Sequence, residues 1–151
     1  MSEPTALKTF LWFQNDLEGA LAFYKKTFGK AVEILEENRM GPDAPLFTAD
    51  FKIFGHEFIG MCIEGGPKFN ESISLSVQCD GQEETDRIWS AITADGEEGQ
   101  CGWCTDKWGV SWQVTPIQMR DFLGNPDPEI AQHNWQALRE MQKIDLSSFK
   151  S

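Results

Sequence analysis

The spacing of hydrophobic and polar residues in the first part of the chain predicts one helix among four strands. Apolar residues from Leu17 to Phe28 recur at helical spacing, with Asp16 in position to cap the helix and Gly29 to end it. Short runs rich in aromatic and β-branched residues predict strands at 9–13, 31–37, 46–54 and 57–63. The predicted order of elements is βαβββ.

The same order recurs after the break at residues 65–67, Gly-Gly-Pro. In residues 72–79, apolar and serine side chains alternate with the period of a strand. Asp80 is the predicted cap of a helix whose buried stripe contains Ile88, Trp89 and Ile92. Three more short strands are predicted at 98–100, 102–105 and 110–115.

This internal repeat predicts an α+β protein built as one domain from two paired βαβββ modules. Module one covers about 7–64 and module two about 70–115, and the dipeptide 108–109 precedes the last strand as 54–55 does in module one. We expect the two sheets to pair into one curved mixed sheet that encloses a cleft. The tail, 116–151, reads as C-terminal helices, one of them opened by Asp127 and Pro128, that pack on the domain or on a second subunit.

Composition and charge restrict the class of partner. The chain has 151 residues, of which 40% are hydrophobic and 25% charged, as in ordinary folded proteins. Its 13 Lys and Arg residues against 24 Asp and Glu give a net charge of -11, which repels nucleic acid and anionic lipid. The sequence has no run of ~20 apolar residues and no apolar leader at its start, so we expect a cytoplasmic protein without membrane or nucleic-acid partners.

The cysteines are expected to be reduced thiols, because disulfides are rare in the cytoplasm. Cys101 and Cys104 have the C-x-x-C spacing of a redox dithiol or half a zinc site, but no second ligand pair at zinc-like spacing accompanies them. Packed thiols are therefore favoured, and whether this pair is ever oxidised stays open. The two histidines, His56 and His133, are too few and too scattered to define a nucleophilic triad.

Several motifs resemble the PhnB-like branch, also called 3-demethylubiquinone-9 3-methyltransferase-like, of the vicinal oxygen chelate superfamily, which includes glyoxalases, bleomycin-resistance proteins and extradiol dioxygenases. The matching segments span nearly the whole chain: residues 10–13, 22–24, 28–29, 65–67, 82–84, 101–103, 106, 109–113, 125–128 and 141–145. The resemblance implies a homodimer with a cleft in each paired sheet. Methyltransferase activity is not expected, since no strand is followed by a G-x-G-x-x-G turn of a methyl-donor site.

The resemblance also implies a divalent metal, which many relatives hold with His and Glu side chains. The matching positions in this sequence are Lys8 or Thr9, Ser72 or Ile73, Ile59 and Gln113. None is a histidine, neutral Gln binds a cation weakly and Ile has no donor atom. We therefore expect neither a metal nor another cofactor.

Strand alternation predicts which side chains face the cleft. Ile73, Leu75 and Val77 should face their helix, and Trp112 likewise, which leaves the intervening serines, Ser111 and Gln113 on the other face. The predicted ligand-binding residues are aromatic, apolar and polar side chains on these cleft faces: Phe10, Trp12, Ile59, Met61, Ser74, Ser76, Trp103 and Gln113. Such a pocket suits a small, partly aromatic ligand with polar edges.

Three functional hypotheses follow. The first is a protein that binds a small organic molecule in a metal-free cleft without transforming it. The second is an enzyme, either metal-dependent through other ligands or thiol-based through Cys101, with Lys107 as the nearest cation in sequence to activate the thiol. The third is a non-catalytic structural dimer whose cleft is filled by side chains. Neither the ligand nor any exchange of modules between subunits follows from the sequence.

Overall fold

A computed structural model describes all residues, 1–151. The chain divides into two compact units, Met1–Lys68 and Phe69–Ser151. The first unit contains β1 (Thr9–Phe13), α1 (Leu17–Phe28), β2 (Val32–Arg39), β3 (Leu46–Ile53) and β4 (His56–Cys62). The second contains β5 (Leu75–Cys79), α2 (Gln82–Thr93), β6 (Glu97–Glu98), β7 (Trp103–Thr105), β8 (Ser111–Pro116), α3 (Met119–Leu123) and α4 (Pro128–Arg139).

The two units repeat one sheet topology, which confirms the predicted βαβββ modules and the α+β class. The first sheet has the order β1-β4-β3-β2 and the second β5-β8-β7-β6. In each, the first strand pairs in parallel with the last, and the remaining neighbours are antiparallel. How the two modules combine into a domain stays a prediction.

In the first unit, one face of the sheet is buried. Leu11, Phe13, Phe51 and Phe58 on this face are at most 6% exposed, as are Leu17, Ala20 and Leu21 of α1. The cap of α1 follows the prediction, since Asp16 Oδ1 accepts a hydrogen bond from Gly19 N at 3.0 Å. The alternate side chains of the strands therefore lie on the opposite face, which we call the open face of the unit.

In the second unit, α2 contributes the predicted stripe of Ile88, Trp89 and Ile92 to the core, all at most 3% exposed. Trp112 and Val114 of β8 are buried on the same face of the sheet, as their alternation predicts. The open face of this unit is again the opposite one, which carries Gln113.

Two local predictions in the second unit are wrong. The N-cap of α2 is Gly81, whose side chain is absent, and Asp80 instead accepts a hydrogen bond from Gln118 Nε2 at 2.7 Å. Ile73 does not face the helix: it is 72% exposed and precedes β5, which begins only at Leu75. The alternation of residues 72–74 has no structural consequence because these residues lie outside the sheet.

The C-terminal tail packs on the second unit. Asp127 caps α4 through Glu129 N at 3.0 Å, as predicted. The tail is then held to the turn between β6 and β7 by backbone hydrogen bonds from Cys101 N to Met141 O and from Gly102 N to Gln142 O. Leu138, Ile144 and Phe149 form a separate buried cluster of apolar side chains.

None of the helices combines the length and apolar character that crossing a membrane requires.

Candidate functional site

The four ligand-binding residues predicted in the first unit lie side by side on its open face. Phe10 pairs with Ile59, and Trp12 pairs with Met61, across the parallel strands β1 and β4. Phe10 is 53% exposed, and the other three are partly buried. These four side chains form a continuous apolar and aromatic surface.

The indole of Trp12 is held in place by the Gly-Gly-Pro segment. Its Nε1 donates a hydrogen bond to Ile63 O at 2.8 Å. A Cβ atom on Gly66 would lie 2.3 Å from the indole ring, so only glycine allows the backbone to pass this close. Gln14 fastens the same segment, donating to Pro67 O at 2.8 Å and accepting from Gly65 N at 3.0 Å. Trp12 therefore presents a fixed ring.

The four ligand-binding residues predicted in the second unit also come together. Gln113 pairs with Ser76 of β5 on one side and with Trp103 of β7 on the other. Its Nε2 donates to Ser74 Oγ at 2.8 Å, although Ser74 precedes the strand. Ser76 Oγ accepts a hydrogen bond from Gln78 Nε2 at 2.8 Å. This row of polar groups ends at the partly buried ring of Trp103.

A cavity of about 460 Å³ opens beside Trp103, within the range of small-molecule pockets. It is bounded by β6, β7, the first residue of β8 and the loop before β5. Six side chains that line it are Glu71, Glu97, Glu98, Trp103, Thr105 and Ser111. Trp103 thus joins the cavity to the polar row of Gln113.

Ser111 is the residue of this cavity with an unsatisfied polar group. It faces away from the core helix, opposite Thr105 in the strand register, yet it is only 3% exposed. Its Oγ is buried and has no hydrogen-bond partner in the chain. Buried hydroxyls are normally satisfied, by the protein, by ordered water or by a ligand, and no group of this chain satisfies Ser111 Oγ.

Sequence reasoning placed Ser111 on the cleft face but not among the site residues, and it missed the glutamates and Thr105. Alternation identifies the face of a strand residue, but it does not show that a hydroxyl is buried and unpaired. Glu71 lies 40 positions from Ser111 in sequence, and only the path of the loop before β5 brings both to one cavity.

Cys101 and Cys104 form no disulfide in this structure, where all four cysteines are free. Burial, with added repulsion from Asp106 and Glu98, raises the pKa of Cys104 to about 12, so it is a neutral thiol near pH 7. Cys101 is partly exposed and lines the cavity. Lys107, the cation considered as its activator, lies over the ring of Trp108 at 5.6 Å.

Asp106 organises the turn between β7 and β8. It is 2% exposed, and its Oδ1 accepts hydrogen bonds from Trp108 N at 3.0 Å and Val110 N at 3.1 Å. Its Oδ2 accepts from Trp112 Nε1 at 3.0 Å. The carboxylate therefore fixes where β8 begins and so positions Ser111 and Gln113.

Comparison with known proteins identifies the family. The model of the family described as 3-demethylubiquinone-9 3-methyltransferase matches residues 5–115, which is most of the chain. The chain belongs to this family. The PhnB protein of Bacillus cereus, described as a putative 3-demethylubiquinone-9 3-methyltransferase, is 28% identical to it with a TM-score of 0.67, covering 75% of this chain and 100% of that one.

The same fold occurs in a resistance protein. A variant of the fosfomycin resistance protein FosX from Listeria monocytogenes, solved with Mn(II) and 1S,2S-dihydroxypropylphosphonic acid, is 18% identical with a TM-score of 0.54, covering 78% of this chain and 98% of that one. This family member thus has the fold of the vicinal oxygen chelate superfamily. No curated protein matches the chain.

The side chains at the superfamily's usual metal positions do not fit a divalent cation. Ile59 has no donor atom, Thr9 Oγ1 is hydrogen-bonded to His56 Nε2 at 2.9 Å, and Gln113, whose Nε2 donates to Ser74 Oγ at 2.8 Å, offers only a neutral amide oxygen. No group of three or more His, Cys, Asp and Glu side chains is placed to hold a metal ion. We therefore derive no metal-dependent step for these residues.

Proposed function

We propose that this family member binds a small organic molecule on the open faces of its sheets, without a metal, in the cytoplasm and as a homodimer. The observation that carries the proposal is the position of Trp103, which both lines the cavity and pairs with Gln113. An aromatic ring, a row of polar groups and a buried unpaired hydroxyl are the combination by which small-molecule sites orient a ligand. Phe10, Trp12, Ile59 and Met61 form the apolar counterpart in the first unit.

The proposed partners follow from charge and exposed surface. A net charge of -11 disfavours nucleic acid, so we propose a small-molecule ligand and no nucleic-acid partner. Large apolar side chains such as Phe10 and Ile73 are more than half exposed, which supports burial in a homodimer. Light scattering should give twice the 17.1 kDa mass of the chain, and a mass of one chain would contradict the dimer.

Ligand binding is tested by titrating the ¹⁵N-labelled protein with 2-phenylethylamine, 2-phenylethanol and 3-phenylpropanoate. We expect at least one probe to shift the side-chain signals of Trp103 and Gln113 saturably. The variant Trp103→Ala should lose these shifts, whereas Trp135→Ala, which alters an exposed indole of α4, should keep them. Absence of saturable shifts with all three probes would contradict the proposal.

The proposal that the site binds its ligand without a metal is tested separately. After incubation with Mn(II) and removal of unbound ions, we expect no stoichiometric manganese by elemental analysis, because the customary positions carry no imidazole or carboxylate side chain. One equivalent of retained manganese would contradict it.

A thiol enzyme is a second candidate, favoured by the presence of Cys101 in the cavity wall. A catalytic thiol must be ionised near neutral pH. Alkylation of Cys101 by iodoacetamide should then be fast at pH 7 and lose its rate only under acidic conditions. A rate that rises about eightfold from pH 7 to 8, as the thiolate fraction of an ordinary thiol does, would exclude this candidate and leave the binding protein.

A further inference from the structure

We propose that the cavity beside Trp103 selects an organic cation, namely a small primary or secondary ammonium group attached to an apolar or aromatic body. This inference rests on the proposed function, because it names the class of ligand for part of the same site. It is carried by three observations: the charge of the cavity wall, the orphaned hydroxyl of Ser111 and the indole of Trp103.

The charge of the wall is of one sign. Three glutamates line the cavity, and no Lys, Arg or His does. Glu98 is fixed by a hydrogen bond from Trp89 Nε1 to its Oε1 at 2.9 Å. Glu71 and Glu97 are exposed and take part in no ion pair within the chain. The wall therefore attracts cations and repels phosphates and carboxylates.

The buried hydroxyl of Ser111 gives this charge a point of recognition. A serine oxygen has two acceptor lone pairs, and an ammonium group has several N–H donors and no acceptor. A rotation of the Ser111 side chain that brings Oγ to the cavity surface would let an ammonium nitrogen seated there satisfy the hydroxyl and remain near the carboxylates. The hydroxyl that is unpaired in the free chain would then be paired in the complex.

An organic cation fits the wall better than a metal ion. The glutamates do not converge on one point as metal ligands do. Trp103 offers an aromatic face, which attracts ammonium groups and packs against an apolar body, whereas Mg²⁺ and Ca²⁺ require a shell of oxygen ligands. The cavity of about 460 Å³ has room for a ring as well as the charged group.

Three probes of nearly equal shape separate charge from shape: 2-phenylethylamine, 2-phenylethanol and 3-phenylpropanoate. We expect the cation to bind more tightly than the neutral alcohol and the anion, and its affinity to fall as salt is raised. Glu97→Gln should weaken amine binding about fivefold and leave alcohol binding unchanged. Glu83→Gln, which removes an exposed charge from the first turn of α2, is the matched control and should change neither.

Ser111→Ala distinguishes recognition from structural support. Because the hydroxyl has no partner in the chain, its removal should leave the melting temperature unchanged or higher while it weakens amine binding. A lower melting temperature would show a structural role and contradict the assignment of Ser111. If the alcohol or the anion binds as tightly as the amine or more tightly, and Glu97→Gln does not change its affinity, the proposed preference for a cation is refuted. The proposed binding of a small molecule would still stand. Absence of binding by all three probes would overturn both.

Discussion

Replacing Asp106 by alanine tests whether the turn between β7 and β8 depends on one buried carboxylate. The substitution removes the acceptor of three hydrogen bonds, from Trp108 N, Val110 N and Trp112 Nε1. Val110 and Trp112 are each 3% exposed, so water cannot readily replace the lost acceptor for these two donors. Trp108 is half-buried, and its N–H can turn to solvent more easily.

The expected cost follows from the two buried donors. Leaving one buried donor unsatisfied costs about 1–3 kcal/mol, so Asp106→Ala should lower the free energy of unfolding by about 4 kcal/mol. That is a large share of the about 5–15 kcal/mol that stabilises a typical domain. In Asp106→Asn, the side-chain oxygen can still accept from both backbone N–H groups, but the new NH₂ faces Trp112 Nε1. Its cost should therefore be that of one buried donor, about 1–3 kcal/mol.

Urea unfolding, followed by tryptophan fluorescence and far-UV circular dichroism, measures these differences. Asp95→Ala, which removes an exposed carboxylate of the same unit, should change stability by no more than about 0.5 kcal/mol. Trp112→Phe removes the indole donor, so its effect and that of Asp106→Asn should be less than additive. The reasoning is refuted if Asp106→Ala costs no more than Asp95→Ala.

Three further predictions follow from buried, crowded and charged groups. Burial, and then Asp106 and Glu98, raise the pKa of Cys104 from 9.0 to about 12, so the unfolded chain releases this proton first. The stability linked to Cys104 is complete below about pH 9 and falls by up to roughly 4 kcal/mol toward pH 12. Cys104→Ala should therefore flatten the pH dependence of the free energy of unfolding in urea between pH 8 and 11. Parallel pH curves for the variant and the original chain would contradict this. Gly102 and Gly65 both have positive φ, 85° and 84°, but only at Gly102 would a Cβ atom meet other groups, at 2.7 Å and 3.0 Å. Gly65→Ala should therefore lower the free energy of unfolding by about 1–2 kcal/mol, and Gly102→Ala by about 1–3 kcal/mol more, as measured by thermal or urea unfolding. Equal losses for the two variants would show that the neighbours of Gly102 move aside for the added Cβ atom. Arg39 holds the pKa of Glu18 below its ordinary value through its hydrogen bond and charge, so Arg39→Ala should raise that pKa in a ¹³C NMR titration; an unchanged pKa would exclude the ion pair in solution.

The sequence alone was sufficient for the order of elements and the family, because both depend on local patterns. The helix from Leu17 to Phe28 needs only the spacing of its apolar residues, a capping aspartate and a terminal glycine. Alternation was also sufficient to put Phe10 and Trp12 on one face of β1, since that assignment needs only the strand period of 2.

Boundaries that depend on pairing were not predictable in this way. The alternation of residues 72–79 looks uniform, yet only residues from Leu75 onward have a strand partner, so Ile73 is exposed. Asp80 has a side chain suited to capping a helix, but its Oδ1 accepts a hydrogen bond from Gln118, 38 positions away.

The repeat, the fold class and the lack of His and Glu at the customary metal positions were thus determined by the order of amino acids. Only the tertiary structure decided that Glu71, Glu97 and Ser111 share one cavity and that the hydroxyl of Ser111 is left without a partner. The physical reason is that periodicity reports the environment of a residue within its own element, whereas a binding site is made where separate elements meet.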